Sequence, residues 1–292
     1  MKGGFILLKK ESGLSSNKID NLIKKRLGFK KVGHLGTLDP LAEGLLIIMV
    51  DDATKYAKYF DDMDKVYEMN ILFGATSKTL DSESEKENIT DTCLLQCDEE
   101  LTNILDSFKG SITQMPPLYS AIKVGGRPLY NYAIKSEEVE IKPRETYVYD
   151  IKALDTIKYE RPFSYLLIKA HVKKGFYMRS LSRDIGAKLN VPSMAESIKR
   201  ISEGQFDIKN SYSLDEILEN RYSFINPIDY IQFKEYTIND NTLKRVLNGH
   251  PLSIDYIDEY LKIIYDNKPI AIYKYDNESN KYRMDLLIRD EN

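Results

Sequence analysis

Short apolar runs separated by polar clusters organise this chain. Phe5-Ile6-Leu7-Leu8 opens it and reads as a strand. Leu45-Leu46-Ile47-Ile48-Met49-Val50 is wholly apolar and bounded by Gly44 and Asp51, the pattern of a buried strand. Between these two the period changes to that of a helix. Ile19, Leu22, Ile23 and Leu27 share a face, with Ser15 or Ser16 as the cap and Gly28 as the stop. A short helix with Tyr56, Tyr59 and Phe60 follows, then a strand over 66–73 that includes Tyr67. Residues 76–97 are polar and acidic and predict a mobile loop. Asp98 caps the next helix, with Leu101, Ile104, Leu105 and Phe108 at helical spacing and Gly110 as its end. A stretch punctuated by Pro and Gly, 115–127, predicts an extended loop or hairpin.

Strands are expected over 146–153 and 164–172, the second with Leu166, Ile168, Ala170 and Val172 on one face. Lys173-Lys174-Gly175 is a turn, and Phe176-Tyr177 opens a helix carrying Met178, Leu181, Ile185 and Leu189. A further strand is expected over 204–208. After Asn226-Pro227 the texture changes to short strands over 260–265, 269–275 and 282–288, separated by Asp-Asn turns. This divides the chain into a first domain, 1–230, and a small β-rich unit, 231–292. The first part lacks regular βαβ alternation. The expected class is therefore α+β, with a mixed, largely antiparallel central sheet and flanking helices.

With 292 residues, 42% of them hydrophobic, the chain can bury a sizeable core in one or two domains. No apolar run approaches the roughly 20 residues of a membrane span, and Phe5 to Leu8 is too short for a signal peptide. The two cysteines, Cys93 and Cys97, lie in a polar stretch, so a reducing cytoplasmic location is expected. The net charge of −3 argues by itself against a polyanionic partner, and its distribution leaves open both a face toward a polyanion and, more simply, a pair of solvated helix faces. Residues 1–31 carry nine Lys and Arg against two acids, residues 173–200 are again basic, and residues 77–106 are acidic. Two basic segments can form one face toward a nucleic acid.

Candidate chemistry concentrates in Gly33-His34-Leu35-Gly36-Thr37-Leu38-Asp39-Pro40-Leu41-Ala42-Glu43-Gly44, a loop braced against the apolar strand that follows. Metal ligation is not expected, because His34, His171 and His250 are scattered and Cys93-x3-Cys97 has no second pair. Glycine-rich phosphate loops and a nucleophile elbow are missing from the sequence. A carboxylate, a histidine, tyrosines and arginines remain. A carboxylate can attack an electrophilic carbon, provided a cation keeps it ionised in a pocket. Arg179 suits that task by its bidentate geometry, and Tyr67 or Tyr177 can stack on a flat ring. Together these suggest a pocket for a base flipped out of RNA. From the residues alone, Asp39-Pro40 is also an ordinary turn pair, Tyr67 a half-buried strand residue, and Arg179 a partner for Asp184 or Glu196.

Residues 33–45 resemble the catalytic motif of the bacterial tRNA pseudouridine-55 synthases, the TruB family, G-H-x-G-T-L-D-P-x-A-x-G-x-L, at every fixed position. Further likenesses follow in family order: Gly13-Leu14-Ser15-Ser16, Lys65-Val66-Tyr67, the segments 117–123 and 126–130, Lys174-Gly175-Phe176-Tyr177-Met178-Arg179-Ser180-Leu181, and Lys199-Arg200-Ile201 with Gly204-Gln205-Phe206. The likeness spans roughly residues 3–230. Lys9-Lys10-Glu11 departs from the family's Asp-Lys-Pro but keeps the lysine, and residues 77–81 follow its T-x-T-x-D pattern only in part.

The resemblance implies a pseudouridine synthase fold with a C-terminal PUA-like unit that contacts tRNA. It implies isomerisation of uridine-55 in the tRNA T-loop. Asp39 is then the nucleophile, Arg179 its partner, and Tyr67 the ring that stacks on uracil and assists proton transfer at C5. His34 enters the T-loop, Tyr177 and Ile201 line the base pocket, Lys10 supports the loops, and Lys123 grips the T-arm. No metal, cofactor, membrane or protein partner is implied, and a monomer is expected.

Overall fold

Alternating apolar residues account for many of the strands, and serine or asparagine caps for several of the helices. The computed structural model describes residues 3–93, 99–255 and 258–288. The chain begins β1 (Phe5–Lys10), α1 (Ser16–Leu27), β2 (Val32–Leu35), β3 (Glu43–Val50), a 3-10 segment (Asp51–Tyr59) and β4 (Lys65–Phe73). It continues α2 (Glu99–Asp106), β5 (Gly110–Gln114), β6 (Lys123–Val124), β7 (Arg127–Pro128) and α3 (Leu129–Ile134). Then come β8 (Arg144–Ala153), β9 (Lys158–Glu160), β10 (Phe163–Val172), α4 (Met178–Lys188), β11 (Ser193–Glu203), β12 (Phe206–Asp207) and α5 (Leu214–Leu218). The last part is β13 (Lys234–Thr237), α6 (Asp240–Leu247), β14 (Tyr260–Tyr265), β15 (Lys268–Asp276) and β16 (Lys281–Leu287).

Among the described residues, ten strands form the main sheet along the path β1-β3-β11-β4-β10-β8-β5, with β2, β9 and β12 attached to β3, β10 and β11. Every pairing is antiparallel except β11 with β3, where Lys199 and Arg200 meet Glu43 and Gly44. One face is covered by α1, α2 and α4. Ile19, Ile23, Leu101, Leu105, Leu181 and Ile185 pack there against Ile6, Leu8, Leu46 and Ile168. At the β1–β3 end the other face is covered too. Phe5, Leu7, Leu45 and Ile47 pack there with Phe60, Phe206 and Ile272. That is why β3 is apolar at successive positions rather than alternate ones.

A second sheet, β13-β14-β15-β16, has its own buried cluster with Ile263, Tyr273 and Tyr282. It meets the main sheet through aromatic contacts. Phe233 stacks on Tyr260 with centroids 4.9 Å apart, and Tyr59 stands edge-on to both at 5.6 Å. The Tyr59 hydroxyl donates to Asp285 at 2.5 Å.

Several expectations change. The expected strand over 204–208 is only the short return strand β12, while β11, the central eleven-residue strand, has no clear sequence signal. Its run SMAESIKRISE is polar, and bulges after Ala195 and Arg200 break its period. Leu22 is exposed, so the buried face of α1 is Ile19, Asp20 and Ile23. The acidic stretch is not a free loop over 76–93. Ser77, Asp81 and Thr92 are buried, and the Ala195 N–H donates to the Leu80 carbonyl. Asp98, the expected cap, and Cys97 lie outside the described residues. Helix α2 ends at Asp106, and Gly110 begins β5.

Leu46→Ala, at a fully buried position of β3, is expected to cost about 2–5 kcal/mol. Urea unfolding of the purified variant checks this as a lowered midpoint at unchanged slope.

Candidate active site

Asp39 sits in the connection between β2 and β3, and that connection is pinned from below. Ser16, in the first turn of α1, both donates to the Leu38 carbonyl at 2.9 Å and accepts from its N–H at 3.0 Å. Lys10, at the end of β1, is buried and donates to the carbonyls of Glu11, Pro40 and Ala42 at 3.0, 3.0 and 2.6 Å. Burial lowers its pKa to about 8, and the carboxylates of Asp39 and Glu43 oppose that shift. At neutral pH the ammonium keeps its proton and spends all three donors on the backbone.

The Asp39 carboxylate remains 44% exposed. Its Oδ2 lies 2.7 Å from Nη2 of Arg179, whose side chain is only 5% exposed. Arg179 stands in the first turn of α4, after the Lys173-Lys174-Gly175 turn, and Gln114 clamps the preceding Tyr177 backbone at both N–H and carbonyl. The same guanidinium donates to the carbonyls of Thr79 and Tyr119, both at 2.9 Å. Its Nη1 lies 3.5 Å from the buried Asp81. One arginine therefore gathers the Asp39 loop, the acidic segment and the start of the 117–130 segment. Asp184 pairs instead with Arg183. Asp81 was visible in the sequence only as the last residue of a partly matched motif. Its burial beside Arg179 makes it part of the site.

Asp39 borders a cavity of about 230 Å³ with Tyr67, Tyr177, Arg179, Ile198 and Arg200. Tyr67 comes from the N-terminal part of β4. Burial raises the pKa of its phenol, and the nearby Arg200 opposes this, so the ring is neutral at physiological pH. Burial likewise raises that of Tyr177. Tyr177 also borders a neighbouring cavity of about 410 Å³, with Lys65, Arg144 and Lys174. A neutral aromatic face, a carboxylate and a fixed cation can receive a flat polar ring and attack it.

The other expected residues are distributed as follows. Ile201 does not border the Asp39 cavity; Ile198 does. The two-residue period of β11 puts 198 and 200 on the cavity face and leaves 201 off it. His34, at the end of β2, lies outside the cavity lining. Its Nδ1 is 2.7 Å from Asp20 and its Nε2 is 3.0 Å from the Thr37 hydroxyl. Lys123 is exposed on the β6–β7 hairpin and is not among the residues lining the cavity. That hairpin turns on Gly125 and Gly126, both at positive φ, and Arg127 covers the Tyr132 ring at 3.8 Å.

Residues 24–178 match the model of the TruB family pseudouridylate synthase, N-terminal domain. The tRNA pseudouridine synthase B of Caldanaerobacter subterraneus subsp. tengcongensis is 40% identical over 271 residues, covering 92% of this chain and 93% of that protein. That of Aquifex aeolicus is 34% identical over 277 residues, covering 92% and 94%. In fold, the chain is similar to one in a structure of an H/ACA RNP bound to a substrate RNA containing 2′-deoxyuridine. The TM-score is 0.69 at 20% identity, over 98% of this chain and 85% of that one. The sequence motifs, the fold and these relatives agree: the chain belongs to the TruB family of pseudouridylate synthases.

Proposed function

We propose that this protein isomerises uridine-55 in the T-loop of tRNA to pseudouridine, with Asp39 as the nucleophile. The observation that carries this reading is the Asp39 carboxylate, open to the cavity yet paired at 2.7 Å with a buried arginine. The relatives named tRNA pseudouridine synthase B support tRNA as the substrate.

The reaction breaks the N1–C1′ bond, turns the uracil and joins C5 to C1′. The C5 proton is released and N1 gains one, so the bookkeeping closes without a redox partner or cofactor. Asp39 supplies the nucleophile, and Arg179 holds it ionised and in place. Tyr67 stacks on the ring, and its phenol assists proton transfer at C5. Base flipping costs a few kcal/mol, which stacking and hydrogen bonds to the uracil edge offset. Enclosure by Tyr177 and Ile198 keeps the detached base from escaping during its turn.

His34, steadied by Asp20 and Thr37, enters the T-loop, and Lys10 keeps the Asp39 loop in shape. Lys123 and the 117–130 segment grip the T-arm. Residues 231–292 form a second, tRNA-contacting unit, and the protein acts in the cytoplasm as a monomer without a protein partner.

The test uses unmodified tRNA transcript tritiated at uridine C5, with release measured and the modified position mapped by carbodiimide primer extension. Release mapped to position 55 is expected. Asp39→Asn is expected to abolish release while tRNA affinity stays within about tenfold, because the lost group performs chemistry rather than grip. Turnover retained in that variant would remove Asp39 from its role. Lys123→Ala should weaken T-arm binding and reduce the slope of log affinity against log salt by about one. Filter binding across a salt series reads this directly, and an unchanged slope would place Lys123 away from phosphate.

A further inference from the structure

Arg200 is a fully buried cation with no part in the reaction as described so far. It faces Tyr67 in the register of β11 with β4 and borders the Asp39 cavity. Its Nε donates to the Leu45 carbonyl at 2.8 Å, and its Nη2 to the Gly36 carbonyl at 2.6 Å. Nη1 lies 3.2 Å from one oxygen of buried Glu203, whose other oxygen is 3.2 Å from Lys65 Nζ. Gly36 and Leu45 lie on the two sides of the Asp39 loop. A single guanidinium therefore joins the chain entering the loop to the chain leaving it.

The glycines at those two ends follow from the same group. Gly36 has a φ of +55°, and a Cβ there would stand 2.5 Å from the Glu203 carboxylate and 2.8 Å from Arg200 Nη1. Gly44 has a φ of +105°, and its Cβ would stand 2.2 Å from the Arg200 carbonyl oxygen. Both ends lack a side chain where they close on Arg200. Stability alone is a poor reason for this arrangement, because apolar side chains of similar volume commonly replace a buried ion network without loss. What the planar fork adds is direction: two fixed donors set the separation of two backbone strands.

We propose that Arg200 is a positioning residue for the reaction. By locking both ends of the loop it fixes where the Asp39 carboxylate meets the uracil, and Glu203 with Lys65 holds the guanidinium in its own place. This inference rests on the uridine isomerase reading.

Arg200→Lys keeps the charge and loses the two-point fork. Four quantities are measured on wild type and variant: melting temperature, tRNA affinity, single-turnover isomerisation rate, and amide hydrogen exchange over residues 36–45. The variant is expected to bind tRNA within about threefold of wild type, while its single-turnover rate falls about 100-fold, as expected for a reacting group displaced by about 1 Å. Exchange over 36–45 should accelerate while β4 and β10 stay protected. A folded variant with a rate within about threefold of wild type would overturn the proposal. So would a rate loss matched by an equal loss of affinity, with unchanged exchange.

If Arg200→Lys does not fold, Glu203→Gln is the second variant, since it leaves both loop hydrogen bonds formed but frees the guanidinium's third corner. Faster exchange near Gly36 and a rate loss of about tenfold at unchanged affinity are expected there. Unchanged exchange and rate would overturn the proposal. Failure of the wild type to isomerise tRNA would count against the uridine isomerase reading instead, and the exchange data would still judge the clamp.

Discussion

The guanidinium of Arg179 is the contact on which the site depends. It is almost wholly removed from water and faces two carboxylates and two backbone carbonyls drawn from three separate segments. An ion in that position is stable only while every one of its partners is in place. Its burial therefore couples the Asp39 loop, the acidic segment and the 117–130 segment into one arrangement. At the residues that meet Arg179, none of the three has a helix or strand of its own to hold it there. The first turn of α4 supplies the anchor, and the main sheet supplies the anchor's rigidity.

Around this centre the protein distributes its charges unequally. Asp39 stays open to solvent, whereas Lys10, Arg179 and Arg200 are buried around it. The cations are satisfied largely by backbone carbonyls, so they shape loops as much as they neutralise acids. A reacting carboxylate held by prearranged donors needs little reorganisation when a base arrives, and electrostatic preorganisation of this kind is usually the largest part of catalysis. Tyr67 and Tyr177 stay neutral through burial and offer a ring without adding a second negative charge beside Asp39.

Much of this was legible in the residues, and for physical reasons. Strand β3 is bounded by glycine and aspartate and buried on both faces, α1 has a serine cap and a left-handed glycine end, and β10 alternates strictly. The centre of the sheet was not legible. Strand β11 owes its burial to its neighbours: Arg200 and Glu203 are inside because they pair with each other, with Lys65 and with backbone, none of which hydropathy registers. The same strand places Ile198 and not Ile201 on the cavity lining, because Ile201 falls in the bulge between Arg200 and Ser202, which appears only once β4 is beside it. The acidic segment failed in the same way. Its composition is that of a solvated loop, yet Asp81 is buried against the Arg179 cation, far along the chain. Asp39, Arg179, Tyr67 and Tyr177 do converge on one cavity, while Lys10 lies beneath the loop and His34 and Lys123 lie outside the lining.

The aromatic contacts between the two sheets carry a consequence for how the chain can be cut and recombined. Tyr59 belongs to the segment just after β3, yet its ring is enclosed by Phe233 and Tyr260 and its hydroxyl is taken up by Asp285. Ile272 reaches further, into the cluster that covers Phe5 and Leu7. The C-terminal sheet is thus a lid on apolar surface belonging to β1 and β3. A chain shortened before residue 231 would present that surface to water as a sticky patch. Swapping the C-terminal unit for that of a relative would require Tyr59 and its neighbours to be exchanged with it.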